Sequence, residues 1–248
     1  MLHPRSNQWL DQLAESDFVQ LHPHLRLVSL PVGERLRGAG DPIKKLHFPI
    51  TALIALSREL REGVGVDTAL IGAEGVVGLR GLIDDASLHS VHVATSGLAY
   101  AIDMADFLPV WQGSVSLQRM CLRAGTRILD MVSTELTCSR FHDVEARLAK
   151  WILLRHDHRG NDLIETTHQT IADSLGVRRE AVTNGLRKLG GVQGGRGSLE
   201  VFDRRPLEAA CCECYFTLRM REGSQMPLPF QTASALSSSA GGPKLSAP

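Results

Sequence analysis

The sequence predicts an α+β chain with an N-terminal antiparallel β-roll of jelly-roll type, one long helix, and a C-terminal winged helix-turn-helix. Three observations predict it. Between Leu25 and Asp103, short β-prone apolar segments are cut by glycine-centred turns every 8 to 20 residues, with no helical segment between them. From Ser114 the apolar spacing changes to steps of four and three, the period of a helix. Beyond Thr167, "THQTIADSLGVRREAVTNGLRKL" reads as helix, three-residue turn, helix, followed by a glycine-rich hairpin.

Taken in order, residues 6 to 21 form a short helical opening, and "LRLVSL", "LHFPITALIALS", "TALIG" and "VHVATSGLAYAID" are the strand segments. Without helices between strands a parallel βαβ sheet is excluded, which leaves an antiparallel roll. The long helix carries two apolar stripes. One runs through Leu117, Cys121, Ala124, Ile128 and Met131, and the other through Leu122, Leu129, Val132 and Leu136. Two stripes need two partners, so one packs on the roll and the other meets a second copy across a twofold axis. The first, heptad-spaced stripe is the expected homodimer interface. "HDVEARLAKWILLRHDHRG" continues as a helix ended by Gly160, and "NDLIETT" is a polar break. Thr167 then caps the first helix of the pair, with Ile171, Leu175, Val182 and Leu186 facing inward. The expected divisions are a β-roll over 1–112, a dimerisation helix over 113–139, a winged helix-turn-helix over 140–221 and a disordered tail over 222–248.

Composition narrows the function classes. With 43% hydrophobic and 22% charged residues the chain is an ordinary globular one, and no apolar run exceeds five residues, far short of a bilayer span. The N-terminus lacks a signal-peptide apolar core, so a cytoplasmic protein with no membrane association is expected. Net charge is zero, but residues 176–205 hold seven Lys and Arg against three Asp and Glu. Positive charge therefore gathers on the helix-turn-helix, as a polyanion partner requires. The five cysteines lack a disulfide framework. Cys211, Cys212 and Cys214 stand in "CCEC" without the C-x-x-C spacing of a zinc pair and without a second pair to match. They read as small buried hydrophobes, so no metal and no cofactor is expected.

The start of the second helix carries the chemistry. Neighbours at i and i+1 do not face each other, so Arg178, Arg179 and Glu180 need partners outside their helix. An arginine fork matches guanine O6 and N7 in the major groove, and glutamate accepts from cytosine N4. Arg179 and Glu180 are thus base-reading candidates in double-stranded DNA. Arg178, Thr167 and His168, at or beside helix N-termini, and Arg196 in the hairpin are candidates for phosphate.

"PVGERL", "LHFPITALIALS", "IGAEGVVG", "VEARLAKWILLRHD", "LGVRREAVTNGLRKL" and "GRGSLEVFDRRPLEAACCECY", in this order over about residues 20 to 216, resemble the Crp/Fnr family of bacterial transcription regulators. The resemblance implies a cyclic-nucleotide-binding-like roll, a homodimer on a pseudo-palindromic operator, and RNA polymerase as a further partner. It places base reading on Arg179, Glu180 and Asn184. Asn184 departs from the arginine usual there and suits adenine N6 and N7 instead. The wing is two or three residues shorter than in relatives.

The implied effector pocket falls on Glu74, His89 and Ser90. Where cyclic-nucleotide binders carry a phosphate-gripping arginine this chain has His89, and an imidazole is a weak substitute for a bidentate guanidinium. The effector is therefore unknown and expected not to be cyclic AMP. An N-terminal cysteine set for an iron-sulfur cluster is missing, since no cysteine precedes Cys121. His47, His89 and His92 do not follow the metal-ligand pattern of cupin jelly rolls, and no Ser/His/Asp arrangement or phosphate-cradling loop is recognisable, so no catalytic residues and no enzyme are expected. The alternative class is a ligand- or metal-binding jelly-roll protein whose helical C-terminus mediates protein contacts.

Overall fold

The computed structural model describes residues 3–60, 65–84, 86–159 and 162–220. The expected tail over 222–248 and the helix-ending Gly160 lie outside them. The opening is two short helices, α1 (Gln8–Asp11) and α2 (Glu15–Leu21). Seven strands follow: β1 (Arg26–Leu30), β2 (Arg35–Arg37), β3 (Lys45–Pro49), β4 (Leu53–Glu59), β5 (Gly65–Ile71), β6 (Ser90–Thr95) and β7 (Gly97–Asp103). They form two antiparallel sheets of order β1-β7-β3 and β2-β6-β4-β5, as a roll requires. "LHFPITALIALS" is two strands, because the chain crosses between sheets at Ile50–Ala52. Gly97 lines that crossing. A Cβ there would stand 2.3 Å from the Ala52 nitrogen, so only glycine lets β7 start beside it. Leu30, Ile54, Ile71, Val91, Val93 and Ala99 fill the space between the sheets.

Three helices then continue the chain: α3 (Met104–Gly113), α4 (Val115–Phe141) and α5 (Val144–Arg159). Ser114 caps α4, its Oγ accepting from the Leu117 N–H at 3.1 Å. Helix α3 has no counterpart among the expected elements. Together with α1 and α2 it surrounds the first turns of α4, where Trp9, Leu10, Phe18, Phe48 and Phe107 pack on Leu117 and Cys121.

That packing corrects the expected dimer interface. Leu117 and Cys121 are buried inside the monomer, Ala124 is packed against the same core, and Ile128 is packed against the core between the sheets. Met131 lines two cavities between α4 and the roll. On the other stripe, Leu122, Leu129 and Leu136 are instead 69%, 64% and 65% exposed, and Val115, one heptad before Leu122, is 63% exposed. The N-terminal helices supply the cover that the sequence pattern left unassigned.

The C-terminal part is built from β8 (Leu163–Glu165), α6 (His168–Leu175), α7 (Arg179–Lys188), β9 (Val192–Gly195), β10 (Ser198–Val201), α8 (Arg205–Ala210) and α9 (Glu213–Met220). The expected polar break contains β8, which joins the wing hairpin as a third strand in the order β8-β10-β9. Its Ile164 points into the core that also holds Leu148, Ile152, Ile171, Val182 and Leu199. Burial of such side chains contributes about 1.5 to 3 kcal/mol each, enough to hold a small domain of this size.

Candidate nucleic-acid interface

Thr167 caps α6 as expected, its Oγ1 accepting from the Thr170 N–H at 3.1 Å. Gly176 ends α6 at φ +64, a left-handed conformation that favours glycine, and the chain turns through Val177 into α7. Ile171 and Val182 are fully buried, and Leu175 nearly so, which fixes the two helices against each other. Helix α7 therefore presents its opposite face outward. Arg178, Arg179, Glu180 and Asn184 are all exposed on it, and among the described residues neither arginine has an ion-pair partner. Unpaired guanidinium groups on a face held by a buried core are free to meet an outside anion or base edge.

The phosphate candidates gather next to that face. Thr167, His168 and Arg179 line one cleft with Gly195, Gly197 and Ser198 of the wing. His168 Nδ1 lies 2.9 Å from Thr183 Oγ1, which ties α6 to α7 and turns the ring partly inward. Arg196 is exposed at the hairpin tip, where Gly197 at φ +79 closes a two-residue turn. The shortened wing pairs fully, with four partners from Val192↔Val201 to Gly195↔Ser198.

The sensor candidates are spread apart. Glu74 Oε1 accepts from the Gly72 N–H at 3.1 Å and faces Arg127 of α4 at 4.0 Å, lining the cavities along that helix. Ser90 Oγ instead donates to Glu59 Oε1 at 2.6 Å. Beside Ser90, burial and the guanidinium groups of Arg58, Arg37 and Arg80 push the His89 imidazole below its ordinary pKa. Its neutral form prevails at pH 7, which weakens it further as a phosphate grip.

A polar seam that sequence reasoning missed joins the roll to the C-terminal helices. Asp67 on β5 accepts from Ser57 Oγ at 2.8 Å and from Ser174 Oγ at 2.5 Å, and lies 3.6 Å from the buried Arg155 guanidinium. Burial pushes Arg155 down to about 10, still charged at neutral pH, and its guanidinium stacks on Trp151 with its carbon 3.6 Å from the ring centroid. Trp151 Nε1 donates to Ser174 at 2.8 Å, closing the network. His92 Nδ1 is also 3.0 Å from Ser57 Oγ. Ser57, His92 and Asp67 nevertheless differ from a nucleophilic triad, because the serine proton goes to the carboxylate rather than to the imidazole.

Residues 146–210 match the model of the Crp-like helix-turn-helix domain. No curated protein sequence matches the chain. Among solved structures, a putative transcriptional regulator of the Crp/Fnr family from Eubacterium rectale is similar with a TM-score of 0.66 and 16% identity, over 83% of this chain and 98% of that one. The c-di-GMP-responsive global regulator CLP of Xanthomonas campestris aligns with a TM-score of 0.62 and 16% identity, over 77% and 100% of the two chains. FixK2 of Bradyrhizobium japonicum aligns at 0.61 and 15%, over 76% and 98%. At such identities these likenesses show the fold. The C-terminal part is thus a Crp-like helix-turn-helix domain, joined to a roll and long helix of the same fold as these structures. The domain match covers residues 146–210, and the likeness of the whole chain to these structures is one of fold.

Proposed function

We propose that the protein is a homodimeric, sequence-specific DNA-binding transcription regulator that acts by binding rather than catalysis. The observation that carries this is the exposed, unpaired Arg178, Arg179, Glu180 and Asn184 face of α7. In this reading α7 enters the major groove, where Arg179, Glu180 and Asn184 meet base edges. Arg178, Thr167, His168 and Arg196 then meet phosphate on either side. Val115, Leu122, Leu129 and Leu136 recur every seven residues, a self-complementary stripe that suits a second copy of α4 across a twofold axis. Two copies of α7 would then address half-sites about 34 Å apart. RNA polymerase as a further partner and a cytoplasmic location follow from the regulator reading; no helix among the described residues is long and apolar enough to cross a membrane. The roll, with a neutral His89 and a Glu74 turned to α4, serves a signal other than cyclic AMP or supports the dimer alone.

Salt dependence tests the reading. Host genome fragments enriched on the purified protein should lose affinity by about 1,000-fold or more between 50 and 200 mM salt if six or more phosphates are neutralised. Absence of salt-sensitive DNA affinity favours the jelly-roll binding protein instead.

A further inference from the structure

The three cysteines that the sequence left as small hydrophobes are not alone. Cys138 lies in the last turn of α4 and His142 directly follows that helix, four residues on, so the two side chains project from one side of its end. Cys212 precedes α9 and Cys214 lies in its first turn. Sulfur and ring-nitrogen atoms of all four come within 4.8 Å of one another, with the three cysteines buried and His142 half-buried. The second pair that the C-x-C phrase lacked is Cys138-x3-His142, in the other half of the fold.

We propose that Cys138, His142, Cys212 and Cys214 form a Cys3His zinc site that fastens the end of α4 to the start of α9. The distances suit one tetrahedral ion. Zinc bonds of about 2.3 Å to sulfur and 2.0 to 2.1 Å to nitrogen at tetrahedral angles require S···S near 3.8 Å and S···N near 3.6 Å. Cys138 Sγ stands 3.6 Å from Cys212 Sγ, and Cys214 Sγ stands 3.6 Å from His142 Nδ1. An iron-sulfur cluster must place several iron and sulfide atoms between its ligands, for which this spacing is too small. Thiolates also disfavour magnesium and calcium, which take oxygen.

The outer contacts complete the arrangement. His142 Nε2 is 3.1 Å from Glu213 Oε2. A carboxylate on that nitrogen holds the Nε2–H tautomer and leaves the Nδ1 lone pair directed at the sulfurs, the pattern of a zinc-bound histidine with its supporting acid. Zinc with three thiolates and a neutral imidazole carries one net negative charge, the thiol protons leaving to solvent. Lys150, buried beside Cys138 and bonded to Glu135 at 2.7 Å, supplies a cation against it. Four protein ligands leave no open position, so the role is structural. The site joins the end of α4 to the start of α9 and would set how the helix-turn-helix sits on the helix that carries the leucine stripe.

The test uses the full chain, purified reduced and without chelator. Elemental analysis should find one zinc per chain, and cobalt substituted for it should give tetrahedral visible bands with thiolate charge transfer. Cys138→Ser, Cys212→Ser and His142→Ala should each lose the metal, while Cys211→Ser and Cys121→Ser keep it. Glu213→Gln should keep the site but bind zinc about 10-fold more weakly. If the ligand variants fail to fold, alkylation of the wild type decides. Cys138, Cys212 and Cys214 should resist the reagent until a chelator is added, whereas Cys211 reacts either way. A folded, reduced protein that takes up no added zinc, an octahedral cobalt spectrum, iron with sulfide, or a Cys138–Cys212 disulfide in freshly purified protein would each overturn the assignment.

Discussion

Leu129→Ala tests the reassigned face of α4. Leu129 is 64% exposed in one chain and stands one heptad from each of Leu122 and Leu136, which are exposed as well. Burying a whole leucine is worth about 1.5 to 3 kcal/mol. With some two thirds of the side chain still to be covered and two copies in a symmetric dimer, the substitution should weaken dimerisation by about 2 to 4 kcal/mol, or roughly 30- to 1,000-fold. Sedimentation equilibrium reads this directly, and Leu129→Asp should run as a monomer at every accessible concentration. Ile128→Ala is the control. Its side chain packs on the core between the sheets, so the chain should lose unfolding stability while its dimer constant changes little. If Ile128→Ala dissociates the dimer and Leu129→Ala does not, the two stripes have been assigned the wrong way round.

Three further expectations rest on other parts of the fold. Asp67→Ala leaves Arg155 buried without its carboxylate and should cost about 3 to 5 kcal/mol in urea unfolding; adding Arg155→Met should recover most of it, and a purely additive double variant argues against the pair. Burial, with Lys45 and Arg37 nearby, pushes His47 down to about 4. The unfolded chain therefore takes up that proton near pH 6.5 and the folded chain only near 4, so stability falls on acidification, by about 2 kcal/mol between pH 7 and 5. His47→Gln should remove that part of the loss, and an unchanged pH profile refutes it. Cyclic AMP at saturating concentration should leave the melting temperature and DNA affinity unchanged, since a ligand without differential affinity shifts nothing; micromolar binding by calorimetry contradicts a neutral His89 as the phosphate position.

What was legible in the sequence was local. Thr167, Gly176 and the inward Ile171, Leu175 and Val182 announce a helix-turn-helix within a few residues of one another, and glycine-cut strands announce the roll. Partnership at a distance was not legible. Both stripes of α4 are heptad-compatible, and only the fold of Trp9, Phe18 and Phe107 onto Leu117 and Cys121 decides which is covered. Strand β8 hid in a polar phrase because three residues pair with β10 through backbone groups rather than by an apolar pattern. Glu74 and Ser90 are spaced as one pocket in the chain but turn to α4 and to Glu59. The cysteine cluster joins residues some seventy positions apart, and its own phrase lacks the expected spacing.

The central claim, that α7 reads base edges, is tested most directly by comparing Arg179→Ala with wild type on the enriched operator and on unrelated DNA of equal length at one salt concentration. Removal of a bidentate contact to guanine should cost about 1 to 3 kcal/mol on the operator, relax preference at one base pair per half-site, and leave affinity for unrelated DNA nearly unchanged. Equal losses on both DNAs would contradict the account, because they would make Arg179 a phosphate contact and leave the sequence-reading surface elsewhere.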